Sequence, residues 1–184
     1  MSDMSHIVEL HLHLDGSLRP ETVWELAKEQ GVELPAKSAE EVKYMMEVPE
    51  DCKTLEDYLE RFDLPLLVLQ KADAIERVTF ELVEDLAKEG VEYAELRFAP
   101  QFSIKDGLTQ DEVVEAAIRG AERGMKLYPQ IRVGLILCCM RGADNEELNM
   151  QTVETAKKYL GNVVSAVDIA GAEGLFPTEN FAPV

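Results

Sequence analysis

Val8-Glu9-Leu10-His11-Leu12-His13-Leu14-Asp15-Gly16-Ser17 is the stretch on which the reading of this chain turns. Ile7 to His13 is largely apolar and free of breakers, so it reads as a short buried β-strand. The strand runs straight into His11-Leu12-His13-Leu14-Asp15-Gly16, with no GxGxxG or GxxxxGK(S/T) phosphate loop after it. Side chains two apart on a strand share a face, so His11 and His13 present their imidazoles together. Neutral imidazole suits zinc, and a catalytic zinc takes about three protein ligands and keeps one position open. The pattern is short, however, and two hydrogen-bonded loop histidines would also satisfy it.

Three further runs read as buried strands: Val91 to Phe98, Ile131 to Cys139 and Val163 to Ile169. Helical patterns lie between them. Pro20 to Gln30 opens on a proline, which a first turn tolerates, and stops at Gly31. Ala72 to Lys88 stops at Gly90. Thr109 to Leu127 opens on the capping-box pair Thr109 and Glu112 and ends before Pro129. Asn145 to Leu160 carries Lys157 and Lys158 in its last turns and stops at Gly161. Strands alternating with helices imply an α/β fold with a parallel sheet. A doubly wound sheet and a (β/α)8 TIM barrel both fit. The missing glycine-rich first turn favours the barrel, of which this chain would supply roughly the first four βα units. An insertion, residues 32–71, interrupts the pattern. Within it Leu55, Tyr58, Leu59 and Phe62 fall at i, i+3, i+4 and i+7, one apolar helix face that spacing alone reads as core packing.

Composition narrows the function. A chain of 184 residues has room for one domain with a sizeable core. Lys and Arg total 18 against 36 Asp and Glu, a net charge of -18. That balance argues against nucleic acid and against an anionic membrane surface, both of which are held by clustered Lys and Arg. No stretch approaches the roughly 20 apolar residues of a membrane span. Cys52, Cys138 and Cys139 form no CxxC pattern. They read as buried free thiols in a reducing cytosol, hence a cytoplasmic protein, with Cys138 and Cys139 on opposite faces of a strand.

The first-strand stretch resembles the first-strand motif of the adenosine deaminase family within the amidohydrolase barrels. The resemblance continues in order. Glu95-Leu96-Arg97-Phe98-Ala99-Pro100 is similar to the end of the family's second strand, Leu137-Cys138-Cys139-Met140-Arg141 to its third, and Asp168-Ile169-Ala170-Gly171-Ala172-Glu173 to its fourth. The resemblance implies zinc-dependent hydrolytic deamination of adenosine to inosine and ammonia. It implies His11 and His13 as Zn2+ ligands and His13, Asp15 and Gly171 as substrate-binding residues. Asp15 would accept a hydrogen bond from the ribose, and Gly171 would offer its backbone N–H to the purine. The face of Leu55, Tyr58, Leu59 and Phe62 would be a mobile hydrophobic gate. Related adenine-type deaminases tend to carry glutamate near the position of Asp15, so aspartate favours a nucleoside, although Asp before Gly is also a common turn residue. Arg97 and Arg141, at strand ends, read as internal ion-pair residues.

The resemblance also implies what is missing. The family's third zinc histidine and its glutamate proton donor sit in a fifth-strand His-Ala-Gly-Glu motif, followed by a further histidine and a zinc-binding aspartate. The sequence contains no such motif. His6, five residues before His11, faces the other way along a continuous strand. The expectation is that residues 1–184 are the N-terminal part of a single metal-dependent hydrolase barrel, with no catalytic residue of their own. The partner would be adenosine or a related purine nucleoside. The isolated chain would be inactive and would self-associate or pair with the missing C-terminal half. It would expose Leu10, Leu12, Val164 and Ala166 or their opposite-face neighbours. The alternatives are a related deaminase acting on adenine or a modified adenosine, and a non-catalytic nucleoside-binding or assembly module.

Overall fold

The computed structural model describes residues 6–182; Pro183 and Val184, the end of a stretch that reads as loop, lie outside it. Four strands form: β1 (Ile7–His13), β2 (Val91–Phe98), β3 (Arg132–Met140) and β4 (Val164–Ala170). They make one sheet in the order β1-β2-β3-β4, and every neighbouring pair is parallel. A doubly wound sheet reverses its strand order at a switch point. This sheet keeps sequence order throughout, as the wall of a barrel does.

The helices are α1 (Pro20–Gln30), α2 (Ala39–Met46), α3 (Leu55–Leu59), α4 (Asp63–Leu66), α5 (Ala72–Lys88), α6 (Gln110–Leu127) and α7 (Glu146–Tyr159). Helix α2 lies in the first part of the 32–71 insertion, ahead of the Leu55–Phe62 face. Ser38 caps it, its Oγ accepting the Glu41 N–H at 3.2 Å, and Val42 is its buried anchor. The Thr109–Glu112 capping box forms at the start of α6.

Paired residues of a parallel sheet point to the same side, which sorts the two faces. Ala94, Leu96 and Phe98 of β2 and Val133, Leu135 and Leu137 of β3 are buried in the core that α5 and α6 cover. Tyr93, Glu95 and Arg97 alternate with them on the inner face. There Arg97 is level with Ile136, and Cys138 with Asp168. The expected set of exposed inward residues therefore needs correction. Ala166, level with Ile136, does lie on the inner face, and Leu10 is exposed. Leu12 is level with Leu96 and packs against the core, and Val164 is buried in it. Both belong to the helix-covered face.

Cys138 and Cys139 are buried, and burial beside Asp15 and Asp168 pushes the Cys138 thiol up from its ordinary range. Cys52 is only part-buried, in the loop before α3, so the expectation of three buried thiols holds for two.

Helices α5 and α6 meet closely because α6 turns Gly120 and Gly124 toward α5. A Cβ on Gly120 would run into the Glu76 carbonyl oxygen and lie 2.8 Å from Thr79 Cβ, and one on Gly124 would lie 2.6 Å from Val83 Cγ1. In a solvent-exposed helix, Gly→Ala gains about 1 kcal/mol from propensity. Here Gly120→Ala should lose about 1–3 kcal/mol by overpacking against backbone that cannot yield. Urea denaturation of the variant checks the sign.

An ion cluster ties the start of α1 to α5 and the end of α6. Arg19 forks onto Asp85 at 2.8 and 2.5 Å and reaches Glu84 at 2.8 Å, while the Tyr128 hydroxyl donates to Glu84 at 2.6 Å. Arg19, Tyr128 and Lys88 together hold the Glu84 carboxyl at about 2, against an ordinary 4.5. A depressed carboxyl stabilises the fold above its unfolded pKa and loses that contribution as pH falls through the folded value. Stability should therefore decline between pH about 4.5 and 2. In Glu84→Gln the decline over that window should be shallower, read from denaturation midpoints against pH.

Candidate functional site

The C-terminal ends of all four strands lie at one end of the sheet, and the candidate residues gather there. His11 and His13 share a face, with ring centroids 5.4 Å apart. The Phe62 ring stands edge-on to His13 at 5.3 Å, and Tyr58 packs on Phe62 at 5.7 Å. Gly16 permits that approach, because a Cβ there would lie 2.8 Å from Phe62 Cε1. The two histidines, Leu55, Tyr58, Leu59, Phe62, Arg97, Asp168 and Gly171 line one cleft of about 610 Å³. A more apolar hollow of about 280 Å³ adjoins it, bounded by His13, Asp15, Phe62, Phe98, Cys138 and Gly171 among others.

Core packing does not describe the apolar face of the insertion. No residue of α3 is buried; Leu55 is 47% exposed and Tyr58 39%, and the face looks onto the cleft. Phe62 belongs to the short turn that follows α3.

Asp15 is buried, yet its Oδ1 has no hydrogen-bond partner and sits 3.8 Å from His13 Nδ1. An unsatisfied buried acceptor costs about 1–3 kcal/mol, so a ligand hydroxyl reaching it would be well received. Gly171 has φ 111°, a region that favours glycine. A Cβ there would also press on Arg141 Cβ at 3.3 Å. Arg141 holds this loop in place: its guanidinium donates to the Phe176 carbonyl (2.8 Å), Thr178 Oγ1 (3.0 Å) and Glu173 (3.2 Å). Arg97 pairs with Asp168 at 2.7 Å, so both strand-end arginines sit in ion pairs.

The paired imidazoles fit two positions of a zinc site. Among the described residues no group of three or more His, Cys, Asp or Glu is placed to complete it. His6 bonds Glu92 at 2.6 Å near the start of β1, away from the cleft.

Sequence reasoning missed two supporting residues. Asn149 of α7 is fully buried; its Oδ1 accepts the Met140 N–H (2.8 Å) and the Gln101 amide (2.9 Å), and its Nδ2 donates to the Met140 carbonyl (3.0 Å). It pins the end of β3 beside Arg141. Glu9 accepts the His11 N–H at 2.8 Å through Oε1. A polar residue on the buried stripe of a helix was the available signal for Asn149; Glu9 offered none.

A family model described as adenosine deaminase matches residues 7–184. An adenosine deaminase from Haemophilus ducreyi is 46% identical over 178 residues, which cover 95% of this chain and 52% of that relative. Among solved structures, the N6-mAMP deaminase of Arabidopsis superposes with a TM-score of 0.77 at 30% identity, over 97% of this chain and 54% of that one. An adenine deaminase from Arthrobacter aurescens gives 0.78 at 25% identity, over 95% and 51%. These neighbours are TIM-barrel deaminases, so the four-stranded sheet is part of the wall of that fold. The chain spans about half the length of the curated relatives it matches. Matched by the family model along all four of its strands, and nearly half identical to a deaminase from another organism, this chain belongs to the adenosine deaminase family.

Proposed function

We propose that this chain forms the nucleoside-facing half of a zinc-dependent adenosine deaminase, whose complete site hydrolyses adenosine to inosine and ammonia. The observation that carries the reading is the same-face histidine pair beside a buried carboxylate with a free acceptor oxygen, under an aromatic cover. In this reading residues 1–184 are the N-terminal part of one metal-dependent hydrolase barrel, and the 32–71 insertion carries the gate.

His11 and His13 would hold the zinc from β1. When bound, zinc supplies a water acidified toward neutral pH, the source of the oxygen that replaces the purine amino group. Asp15 accepts a ribose hydroxyl and so satisfies its orphan oxygen. A free base would leave that oxygen unpaired in a buried place, which favours a nucleoside over adenine. Gly171 offers its backbone N–H to the purine edge. Leu59, Tyr58 and Phe62 close over the base and exclude water.

The amino group also needs a proton delivered to the purine as it leaves, help worth about 100- to 10,000-fold. In this reading the proton donor comes from another part of the barrel, so the isolated chain does not turn over adenosine. The unpaired edges of β1 and β4 are covered by a C-terminal half or, in the isolated chain, by a second copy. No described helix is long and apolar enough to cross a membrane, and a cytoplasmic location, away from nucleic acid and membranes, accompanies the proposal.

Two measurements test this reading. Zinc should leave the isolated chain during dialysis against a chelator, because two imidazoles under-fill its coordination. Ammonia release from adenosine should be absent for the chain alone and should appear when it is mixed with the C-terminal half of the Haemophilus ducreyi relative. In that mixture Asp15→Ala should cut turnover by about tenfold or more with zinc content unchanged. Deamination by the chain alone, or loss of zinc in Asp15→Ala, would overturn the assignment.

A further inference from the structure

Strand β1 is not regular where it carries the histidines. Glu9 is level with Ala94, and Leu12 with Leu96, so Leu10 and His11 together stand opposite the single residue Glu95. That is a β-bulge, one extra residue on the strand. The bulge changes the phase of the strand. Val8 is level with Tyr93 and His13 with Arg97, so an even and an odd residue of β1 share the inner face. A strand continued from Glu9 without the extra residue would keep His11 and His13 in phase with Ala94, which is fully buried under the helices.

A bulge leaves ladder groups without strand partners, and two side chains take them here. Glu9 Oε1 accepts the His11 N–H at 2.8 Å. Arg97 Nη2 donates to the Leu10 carbonyl at 3.1 Å. The same guanidinium donates through Nη1 to Asp168 Oδ2 at 2.7 Å, and Asp168 Oδ1 accepts the Ile169 N–H at 2.8 Å. Arg97 thus stands on β2 and ties edge strand β1 to edge strand β4 across the inner face. Its Nε is buried with no partner, so the two outer nitrogens carry the contacts. A lysine has a single compact ammonium and cannot reproduce that fork.

We propose that Glu9 and Arg97 are positioning residues: they hold the Leu10–His11 bulge that turns both imidazoles inward, and Arg97 sets the spacing between that pair and the β4 end that carries Gly171. The metal-related consequence rests on the reading of His11 and His13 given above; the positional one does not.

The test uses the 184-residue chain with Glu9→Ala, Glu9→Gln and Arg97→Lys. Without metal, NMR follows His11 amide exchange, the His13 ring protons that sit against Phe62, and the Gly171 amide. Titration with Co2+ alone follows affinity. Glu9→Ala should speed His11 amide exchange and weaken Co2+ about 10- to 100-fold at an unchanged melting temperature. Glu9→Gln, which keeps an acceptor oxygen, should restore both. Arg97→Lys should shift the His13 ring and Gly171 signals together and weaken Co2+ similarly. Wild-type exchange, ring shifts and affinity in both Glu9→Ala and Arg97→Lys would overturn the proposal. If Arg97→Lys does not fold, the Glu9 pair decides. If the wild-type chain takes up no Co2+, the metal reading fails, and the exchange and ring shifts still decide the positional claim.

Discussion

Parallel strands can be joined only by crossovers, and crossovers bring every strand back to start at the same end. All four C-terminal ends must then lie together. His13, Phe98, Met140 and Ala170, the last residues of their strands, meet at one rim although more than 150 residues separate the first from the last. The histidine pair, the Asp15 turn and Gly171 are neighbours for that reason. Helices α5 and α6 stay on the outer face, where they approach closely enough to require glycine, and leave the rim to the insertion.

The inner face has the opposite character. Glu95, Arg97 and Asp168 place charges on a surface that is only partly covered in this chain. Charges in such a place are retained when each has a partner and a geometric task. Arg97 and Asp168 meet that condition, since one guanidinium links two edge strands that share no ladder bonds. The Cys138 thiol, raised by burial and by Asp15 and Asp168 nearby, adds packing rather than reactivity. The polar wall and the apolar face of Leu55, Tyr58, Leu59 and Phe62 line one cleft.

Much of this was legible because it is periodic or chemically specific. Val91–Phe98 and Ala72–Lys88 match their expected bounds, and β3 and β4 begin and end one residue later than expected. His11, His13 and Asp15 stood out because the stretch around them resembles a family motif; their spacing alone is too short to be specific. Three features were not legible, each for a physical reason. The bulge is hidden because Leu10-His11-Leu12-His13 looks like regular alternation, and only pairing with β2 reveals the extra residue. Leu12 faces the helix side because of that register, and Val164 because of the separate pairing of β4 with β3. A helix that lines a cleft and a core helix share one period, so only the position of α3 over the cleft distinguishes them. Asn149 was legible in part, as a polar residue on a helix's buried stripe, but its partner, the backbone of Met140 nine residues away, was not.

The central claim is that the rim of β1 and β4, under Phe62, receives a purine nucleoside. The most direct measurement is titration of the isotopically labelled 184-residue chain with inosine, the product of the proposed reaction and so immune to turnover, followed by NMR. The account predicts saturable shifts in the Gly171 amide, the His13 ring and Phe62, with Asp15→Ala weakening the effect. Shifts confined to another surface, or equal in Asp15→Ala, would contradict it.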